Sequence, residues 1–389
     1  MKNARDPKTI AAVNGVATDR AFGSVTPPIY LSSNFAFAGY EKSRGHEYTR
    51  TSNPTRDLLA DTLAKLEGGA GAVVTASGMA AVDLVLSQIR RDELVVAPHD
   101  CYGGTYRLLA LRRERGDFDV VFVDENNESA LAAALARKPA LVLIETPSNP
   151  LMRITDIRGV AGRARAAGAK VAVDNTFLSP ALQRPIALGA DFVLHSTTKY
   201  LNGHSDVVGG AVIAADKADA DALLAWSNVV GTVGSPFDAY LTLRGVRTLF
   251  PRVHQQEANA AAVAKFLHRH PAVRVVHYPG LPSDPGHNLA ASQQSGFGAM
   301  LSFELAGGVE AVRQLVEALR VFTLAESLGG VESLIAHPTT MTHAGMSEDA
   351  RRVAGIGEGL LRLSVGLEAE ADLVADLDQG LAAIDPRPA

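Results

Sequence analysis

Two charged residues in the middle of the chain each follow a short apolar segment. Residues 171–173 lead into Asp174, and residues 192–194 lead through hydroxyl-bearing residues into Lys199. A lysine just beyond a buried strand can lose its hydration, which lowers its pKa and frees the amine to attack a carbonyl carbon. A lysine at the edge of a sheet can also extend its ammonium group into water. Lys199 is therefore a candidate Schiff-base lysine, with a purely structural role as the alternative.

Asp174 has two interpretations of the same kind. An aspartate after a strand often caps the next helix. A carboxylate at that place can also pair with the ring nitrogen of pyridoxal phosphate, and it then keeps the ring protonated so that the ring accepts carbanion electrons. Because Asp174 and Lys199 both follow buried strands, the pair favours the second interpretation.

The segment 75–80 could bind a phosphate group. It places Ser77, Gly78 and Met79 between an apolar strand and an apolar helix, and small residues at a helix N-terminus let backbone N–H groups approach an anion. Strand–Ser–Gly–helix turns are also common for structural reasons, and neither P-loop nor dinucleotide spacing is present. Further candidate donors to the same phosphate are Ser196, Thr198 and Arg50, although Arg50 could equally form a solvated surface ion pair.

Tyr102 follows the apolar segment 94–97 and precedes Gly103 and Gly104. A phenol at the end of a strand can stack on an aromatic cofactor or can pack as an ordinary side chain. The position alone leaves both interpretations open.

The elements that must hold these residues alternate between apolar segments and stretches with helical spacing. The apolar segments are residues 72–75, 94–97, 120–123, 141–144, 171–173, 192–194 and 211–214. Continuous apolar segments separated by helices predict strands buried on both faces, hence an α/β fold with a mostly parallel, seven-stranded sheet. Ligands in such folds bind in the crevice at the carboxyl ends of the strands.

The rest of the chain predicts two further regions. Helical spacing at 254–268, 309–319 and 370–383 alternates with strand-like segments at 273–278, 300–305 and 361–365, which predicts a smaller α+β domain. Residues 1–60 show no clear periodicity, which favours an arm or functional loops. We therefore expect an N-terminal arm (1–60), a cofactor-binding domain (61–255) and a C-terminal domain (256–389).

Composition excludes several other classes of protein. The 389 residues carry a net charge of −5, so no basic field favours nucleic acid or an anionic membrane. A single cysteine, Cys101, allows neither a disulfide framework nor a thiolate metal cluster within one chain. Neither a signal peptide nor a membrane span is predicted. The composition therefore predicts a cytoplasmic protein without a metal site.

Several motifs resemble those of the cystathionine γ-synthase/γ-lyase family, the pyridoxal-phosphate-dependent enzymes of Cys/Met metabolism. The resemblance covers nearly the whole chain, and the block around Lys199 is highly specific. The motifs are YTR (48–50), NPTR (53–56), SGM (77–79), HDCYGG (99–104), ETPSNP (145–150), VDNTF (173–177), HSTTKYLNGHSD (195–206) and LAESLGGVES (324–333). The family resemblance implies the fold of type I pyridoxal-phosphate transferases, similar to that of aspartate aminotransferase.

The resemblance also implies roles for individual residues. Lys199 would hold the cofactor covalently and move protons, Asp174 would pair with the ring nitrogen, and Tyr102 would stack on the ring and assist proton transfer. The phosphate would be bound by Gly78, Met79, Ser196 and Thr198, with Tyr48 and Arg50 supplied by a neighbouring subunit. The substrate carboxylate would be bound by Arg362, Asn149 and Ser327. An arm that reaches a neighbouring subunit implies an active dimer within a homotetramer.

The family comprises several reactions, and a few positions separate them. The resemblance places Gly104 where methionine γ-lyases have a cysteine, which disfavours methionine γ-lyase activity. Glu326, with Glu47, could receive the amino group of cystathionine, which favours a γ-synthase or a γ-lyase over a β-lyase; Glu326 could also be a surface helix cap. Arg107 is a candidate partner for an acyl carboxylate, whereas Thr51 stands where bacterial synthases can have a second arginine.

The wider resemblance is greatest to bacterial cystathionine γ-synthases, which make L-cystathionine and succinate from O-succinyl-L-homoserine and L-cysteine. The alternative is a γ-lyase that cleaves L-cystathionine to cysteine, 2-oxobutyrate and ammonia. Two other classes also remain open: a nucleotide-dependent α/β enzyme that uses the Ser77–Gly78 turn, and a non-catalytic protein that keeps the fold.

Overall fold

The computed structural model describes residues 5–346 and 348–384. Its strands are β1 Gly71–Thr75, β2 Leu94–Pro98, β3 Asp119–Val123, β4 Leu141–Glu145, β5 Lys170–Asp174, β6 Phe192–His195, β7 Gly210–Ala214, β8 Val273–His277, β9 Met300–Leu305, β10 Thr323–Leu324, β11 Leu334–Ala336 and β12 Leu360–Ser364. Its helices are α1 Pro7–Val13, α2 Pro54–Glu67, α3 Gly78–Leu86, α4 Gly103–Glu114, α5 Glu128–Ala136, α6 Ile157–Ala166, α7 Ser179–Leu182, α8 Lys217–Val230, α9 Pro236–Val246, α10 Leu249–Arg269, α11 His287–Gln293, α12 Gly308–Ala318, α13 Glu348–Ala354 and α14 Glu370–Ala382, with a 3-10 turn at Pro185–Leu188.

Seven strands form the large central sheet in the order β1-β7-β6-β5-β4-β2-β3. Strands β2 to β6 are parallel where they pair, and β7 is antiparallel to both of its neighbours. Every residue of β2, β4 and β7 is buried, as expected for strands covered by helices on both faces. The predicted α/β fold and its mostly parallel, seven-stranded sheet are confirmed.

A second sheet of five strands, in the order β10-β11-β12-β9-β8, follows in the chain. Its predicted strands and helices are present, so the smaller C-terminal α+β unit of the fold is also confirmed. Strands β10 and β11 have two and three residues, too few for any periodicity to show in the sequence. The boundaries proposed for the three regions stay a prediction.

The N-terminal region is less irregular than its sequence indicates. Helix α1 begins behind Asp6, whose side chain accepts a hydrogen bond from the N–H of Lys8, and Pro7 occupies its first turn. Helix α2 is capped by Asn53, which accepts from the N–H groups of Thr55 and Arg56. The prediction of an arm or functional loops over 1–60 did not include these helices. Helix α1 has seven residues, too few to show a 3.6-residue period, and half of α2 lies beyond residue 60.

Candidate active site

A cavity of ≈ 540 Å³ opens at the carboxyl ends of β4, β5 and β6. The volume suits a small organic cofactor with its substrate. Most of the residues singled out from the sequence line it: Gly78, Met79, Tyr102, Arg107, Asn149, Asp174, Ser196, Thr198, Lys199, Glu326, Ser327 and Arg362. The fold thus brings together side chains from seven separate segments of the chain.

Lys199 lies in a tight turn after β6, where its carbonyl accepts a hydrogen bond from the N–H of Gly203 at 2.8 Å. Its Nζ donates to the Ser327 hydroxyl at 2.7 Å. Burial and the nearby Arg362 guanidinium lower the pKa of Lys199 to about 8, with Glu326 acting in the opposite direction. The amine therefore reaches its uncharged form, the form that attacks a carbonyl, at a lower pH than an ordinary lysine does.

Arg362 lies on the floor of the cavity in β12 and is almost fully buried. Its Nη1 donates to the Asn149 Oδ1 at 2.9 Å, and its Nη2 donates to the carbonyl of Ser327 at 3.0 Å. Its Nε is buried without a partner among the described residues. A buried guanidinium without a bonded carboxylate is well suited to receive one from a ligand.

Ser327 connects Lys199 with Arg362, since its hydroxyl contacts the amine and its carbonyl contacts the guanidinium. Its φ of 89° lies in the left-handed region that residues other than glycine seldom adopt. Such strain persists where the surrounding structure imposes it, commonly at functional sites. The backbone at Ser327 is therefore shaped by the site rather than by local preference.

Glu145, which the sequence reasoning quoted only within a motif, joins two further parts of the site. Its carboxylate accepts from the N–H of Tyr102 at 2.8 Å and from the N–H of Asn149 at 3.2 Å. Burial, and then the neighbouring carboxylate of Asp174, raise its pKa well above the usual range. Glu145 holds the tyrosine at the end of β2 and the amide that supports Arg362 in one fixed arrangement.

Asp174 ends β5 and is half-buried, and its Oδ1 accepts from the N–H of Thr176 at 2.9 Å. Burial raises its pKa, while hydrogen bonds from Thr176 act in the opposite direction. The Thr176 hydroxyl in turn accepts from the N–H of Ser196 at 2.9 Å. Asp174 and Ser196 thus lie at a fixed distance from each other at the ends of neighbouring strands. Two residues that contact opposite ends of one ligand need such a fixed distance.

An anion can bind where α3 begins. Ser77 caps this helix by accepting from the N–H of Ala80 at 3.1 Å, which leaves the N–H groups of Gly78 and Met79 without an intrahelical acceptor. A Cβ at Gly78 would lie 2.8 Å from the Cβ of Ser196, so only glycine lets the serine approach the helix so closely. Thr198 is less free, because its hydroxyl exchanges hydrogen bonds with the peptide of Gly209.

Arg107 and Glu326 supply charge elsewhere on the wall of the cavity. Arg107 projects from α4, is exposed, and forms neither an ion pair nor a hydrogen bond with any other described residue. Glu326 precedes Ser327, and its charge influences both Lys199 and Arg362. The cavity therefore offers a second cation and an anion in addition to the groups around Lys199.

Three residues singled out from the sequence lie outside the cavity of their own chain. Glu47, Tyr48 and Arg50 are exposed on the N-terminal arm. Arg50 donates to the carbonyl and side-chain oxygens of Asn228, at the end of α8, and lies over the Tyr48 ring with 5.6 Å to its centroid. Within one chain the structure does not bring these three residues to Lys199.

A buried polar network behind the strand ends was not anticipated from the sequence. His195 Nε2 lies 2.6 Å from the Oε1 of Glu67, which also accepts from the Asn175 side chain at 2.9 Å. Gln183 donates to Asn175 Oδ1 at 3.0 Å. An acid ending one helix and a histidine ending a strand give no joint pattern in the sequence, since 128 positions separate them.

The donor set fits pyridoxal phosphate. A half-buried carboxylate, a lysine with a lowered pKa and a helix N-terminus surround one cavity, and these match the ring nitrogen, the aldehyde and the phosphate of that cofactor. Fold and site together define a type I pyridoxal-phosphate enzyme.

Comparison with known proteins identifies the family. The family described as Cys/Met metabolism PLP-dependent enzyme matches residues 8–382. The cystathionine gamma-synthase of Escherichia coli (strain K12) is 55% identical over 97% of this chain and 98% of its own. A cystathionine beta-lyase of Lactococcus lactis subsp. cremoris (strain MG1363) is 45% identical over 96% and 98%.

A solved structure agrees with these relatives. The cystathionine gamma synthase of Xanthomonas oryzae pv. oryzae in complex with cystathionine superposes with a TM-score of 0.97 at 56% identity, covering 97% of this chain and 98% of that one. The chain belongs to the Cys/Met metabolism family of pyridoxal-phosphate-dependent enzymes.

Proposed function

We propose that this enzyme catalyses γ-replacement, in which O-succinyl-L-homoserine and L-cysteine form L-cystathionine and succinate. The observation that carries the proposal is the placement of two separate arginines, Arg362 and Arg107, on one cavity that contains Lys199. Two cations suit a substrate with a carboxylate at each end, as in O-succinyl-L-homoserine; cystathionine shares this feature, so the choice of synthesis over cleavage rests on the relatives. The cystathionine gamma-synthases of E. coli and X. oryzae, at 55% and 56% identity, support the same reaction.

Binding of the cofactor would follow the geometry of the cavity. When bound, pyridoxal phosphate supplies the electron sink that stabilises a carbanion at Cα. Asp174 would hold the proton on the ring nitrogen, and Tyr102 would cover a face of the ring. The phosphate would take the N–H groups of Gly78 and Met79 and the hydroxyls of Ser196 and Thr198.

Arg362 would bind the α-carboxylate of the amino-acid substrate through its two-pronged guanidinium. Asn149 and Ser327 hold the guanidinium at 2.9 and 3.0 Å, so its direction is set before the substrate arrives. Preorganisation of this kind reduces the entropic cost of orienting the reacting carbon.

Lys199 would move the protons. Its Nζ would take a proton from Cα, hand that proton on, and as a neutral amine again take one from Cβ, with Tyr102 assisting. The Cγ–O bond then breaks and succinate leaves with the bonding electrons. The sulfur of L-cysteine, its thiol proton released to solvent, would form the new bond to Cγ, and the protons would return to Cβ and Cα. Glu326, with Glu47, would hold the amino group of the incoming cysteine.

The active unit would be a dimer, and the full assembly a homotetramer in the cytoplasm with small amino acids as its other partners. Exposure of Tyr48 and Arg50 outside their own cavity supports this part of the proposal. Both would reach the phosphate of a neighbouring subunit. Among the described residues, no helix is long and apolar enough to cross a membrane, and no cluster of His, Cys, Asp or Glu could hold a metal ion.

The proposed reaction can be tested by incubating the enzyme with O-succinyl-L-homoserine and L-cysteine, and separately with L-cystathionine. Cystathionine, succinate, cysteine and 2-oxobutyrate are quantified in both reactions. We expect rapid formation of cystathionine and succinate, and slow cleavage of cystathionine. Fast release of cysteine and 2-oxobutyrate with little condensation would instead establish a γ-lyase, and Glu326 would then capture cystathionine for cleavage.

A further inference from the structure

The segment 337–346 forms part of the cavity wall. It follows β11, and two of its residues, Met341 and Thr342, line the cavity. His343 is buried within it, and the His343 Nε2 lies 3.1 Å from the carbonyl oxygen of Asn149, to which it donates. The segment is thereby joined to the residue that supports Arg362.

Hydrogen bonds hold this segment in one conformation. The two ring nitrogens of His337 contact the Thr340 hydroxyl at 2.9 Å and the carbonyl of Glu358 at 3.0 Å. The N–H of His343 donates to the carbonyl of Pro338 at 2.8 Å. The C-terminal end of the segment 337–346 therefore has a defined conformation next to α4.

Within this segment, Gly345 lies next to Arg107. A Cβ built on Gly345 would lie 3.0 Å from Arg107 Nη1 and 3.7 Å from its Cδ. On the opposite side, a Cβ on Gly103 would lie 3.3 Å from the carbonyl oxygen of Thr342 and 3.7 Å from the same Nη1. Nη1 of Arg107 thus lies close to both glycines. A side chain at Gly345 would crowd it, whereas a Cβ at Gly103 would meet it at an ordinary contact distance.

The backbone gives no other reason for glycine at 345, since its φ is not in the left-handed region. The adjacent Arg107 has no ion-pair or hydrogen-bond partner in the ranges 5–346 and 348–384. No hydrogen bond or ion pair with these residues therefore holds the guanidinium in place. A change in the packing surface moves the guanidinium directly, because no bond opposes the movement.

We propose that Gly345 determines the enzyme's selectivity for the acyl group of its homoserine ester. Lacking a side chain, it lets the Arg107 guanidinium lie where it binds the free carboxylate of a dicarboxylic acyl group. This inference rests on the proposed γ-replacement and adds a residue that acts through Arg107. Gly345 is a positioning residue that need not touch the substrate.

The test compares kcat and KM for O-succinyl-L-homoserine and O-acetyl-L-homoserine, with L-cysteine as the second substrate. The holoenzymes are wild type, Gly345→Ala and the bulkier Gly345→Val. We expect kcat/KM for the succinyl ester to fall about tenfold in Gly345→Val, the effect of losing one charge-assisted hydrogen bond, with a smaller loss in Gly345→Ala. The acetyl ester has no distal carboxylate, so its kcat/KM stays within about twofold.

Gly357→Ala is the matched control. A Cβ at Gly357 would meet Glu304 at 3.5 Å, an ordinary contact, and Gly357 accepts a hydrogen bond from Thr339 of the same segment. This variant should keep the wild-type ratio of succinyl to acetyl activity. A double-mutant cycle with Arg107→Gln tests whether Gly345 acts through Arg107. Gly345→Val should cause no further loss of activity with the succinyl ester once Arg107 is replaced.

The outcomes separate the two proposals. If wild type forms no cystathionine from either ester, the proposed reaction fails irrespective of Gly345. If wild type prefers the succinyl ester and both folded Gly345 variants keep that preference within about twofold, the role of Gly345 is refuted. Gly345→Ala keeps the test decisive if the valine variant does not fold. An additive loss in the double variant would also overturn the proposal, since Gly345 would then act independently of Arg107.

Discussion

At the scale of single residues, the site depends on charges that lie close together in a protein interior. Lys199 lies between Arg362, whose charge lowers its pKa, and Glu326, whose charge raises it, after burial has had the largest effect. Interactions between such groups are strong because little water screens them. Each neighbour can therefore be removed to test its effect on the lysine.

We expect the rate at which the apoprotein binds pyridoxal phosphate to rise with pH, with a midpoint at about 8, the pKa of Lys199. Deprotonation produces the reactive amine, so the rate increases as pH rises through this value. Arg362→Leu removes a positive charge and should move the midpoint to higher pH. Glu326→Gln removes a negative charge and should move it to lower pH. Stopped-flow absorbance of the cofactor measures the rates.

Arg107→Gln is the control for this pH profile, because Arg107 lines the same cavity yet is not among the groups that shift the pKa of Lys199. Its midpoint should match that of wild type. Equal midpoints in all four proteins would contradict the electrostatic account of Lys199.

At the scale of elements, the ends of α2, β5 and β6 are joined by the Glu67 carboxylate. Glu67 and His195 are almost fully buried, and the Glu67 Oε2 and His195 Nδ1 have no partner in the described structure. A buried polar network of this kind is costly to disrupt, since removal of one member leaves the others unpaired. The network lies directly behind the strand ends that carry Asp174 and Ser196.

Glu67→Ala should therefore destabilise the fold by about 3 kcal/mol, because the His195 and Asn175 side chains lose their shared acceptor in a buried place. Urea denaturation followed by circular dichroism measures the loss. Glu310→Ala, which breaks the exposed contact of Glu310 with Arg313 on α12, should cost less than about 1 kcal/mol. An equal loss of unfolding free energy in both variants would show that the buried network stabilises the fold no more than an exposed ion pair does.

At the scale of the whole molecule, the distribution of site residues favours an assembly. Twelve of the residues selected from the sequence line one cavity. Tyr48 and Arg50 lie on an exposed arm that contacts α8 of its own chain through Asn228. In the proposed dimer, the exposed arm of one copy would reach the cavity of the other.

This arrangement predicts complementation between inactive variants. Lys199→Ala and Arg50→Ala should each have little activity alone. If they are unfolded together and refolded as mixed dimers, about a quarter of all sites should combine an intact Lys199 with an intact Arg50 from the other chain. Recovery of cystathionine formation to that fraction measures the exchange.

The matched control mixes Lys199→Ala with Asp174→Asn. Both residues line the cavity of one chain, so no hybrid site receives both intact and no recovery is expected. Failure of the first mixture despite hybrid formation would place Arg50 in its own chain's site.

Much of the architecture was predictable because it depends on local patterns. Apolar segments such as β4 and β7, buried along their whole length, determine strands wherever they occur in the chain. Parallel strands then place their carboxyl ends along one edge, which is why Asp174 and Lys199, each beyond a buried strand, were predicted to carry the chemistry. The short helix α1 and the short strands β10 and β11 escaped prediction because they contain too few residues for a period.

The amino-acid sequence by itself determined the α/β fold, the family and which side chains carry chemistry, since residue type and local spacing encode these. Only the tertiary structure decided which groups touch: Glu145 between Tyr102 and Asn149, Glu67 beside His195, and Arg107 against Gly345. The physical reason is that these contacts join segments far apart in the chain. Their energies depend on burial and on distances of a few ångströms, which no local pattern specifies.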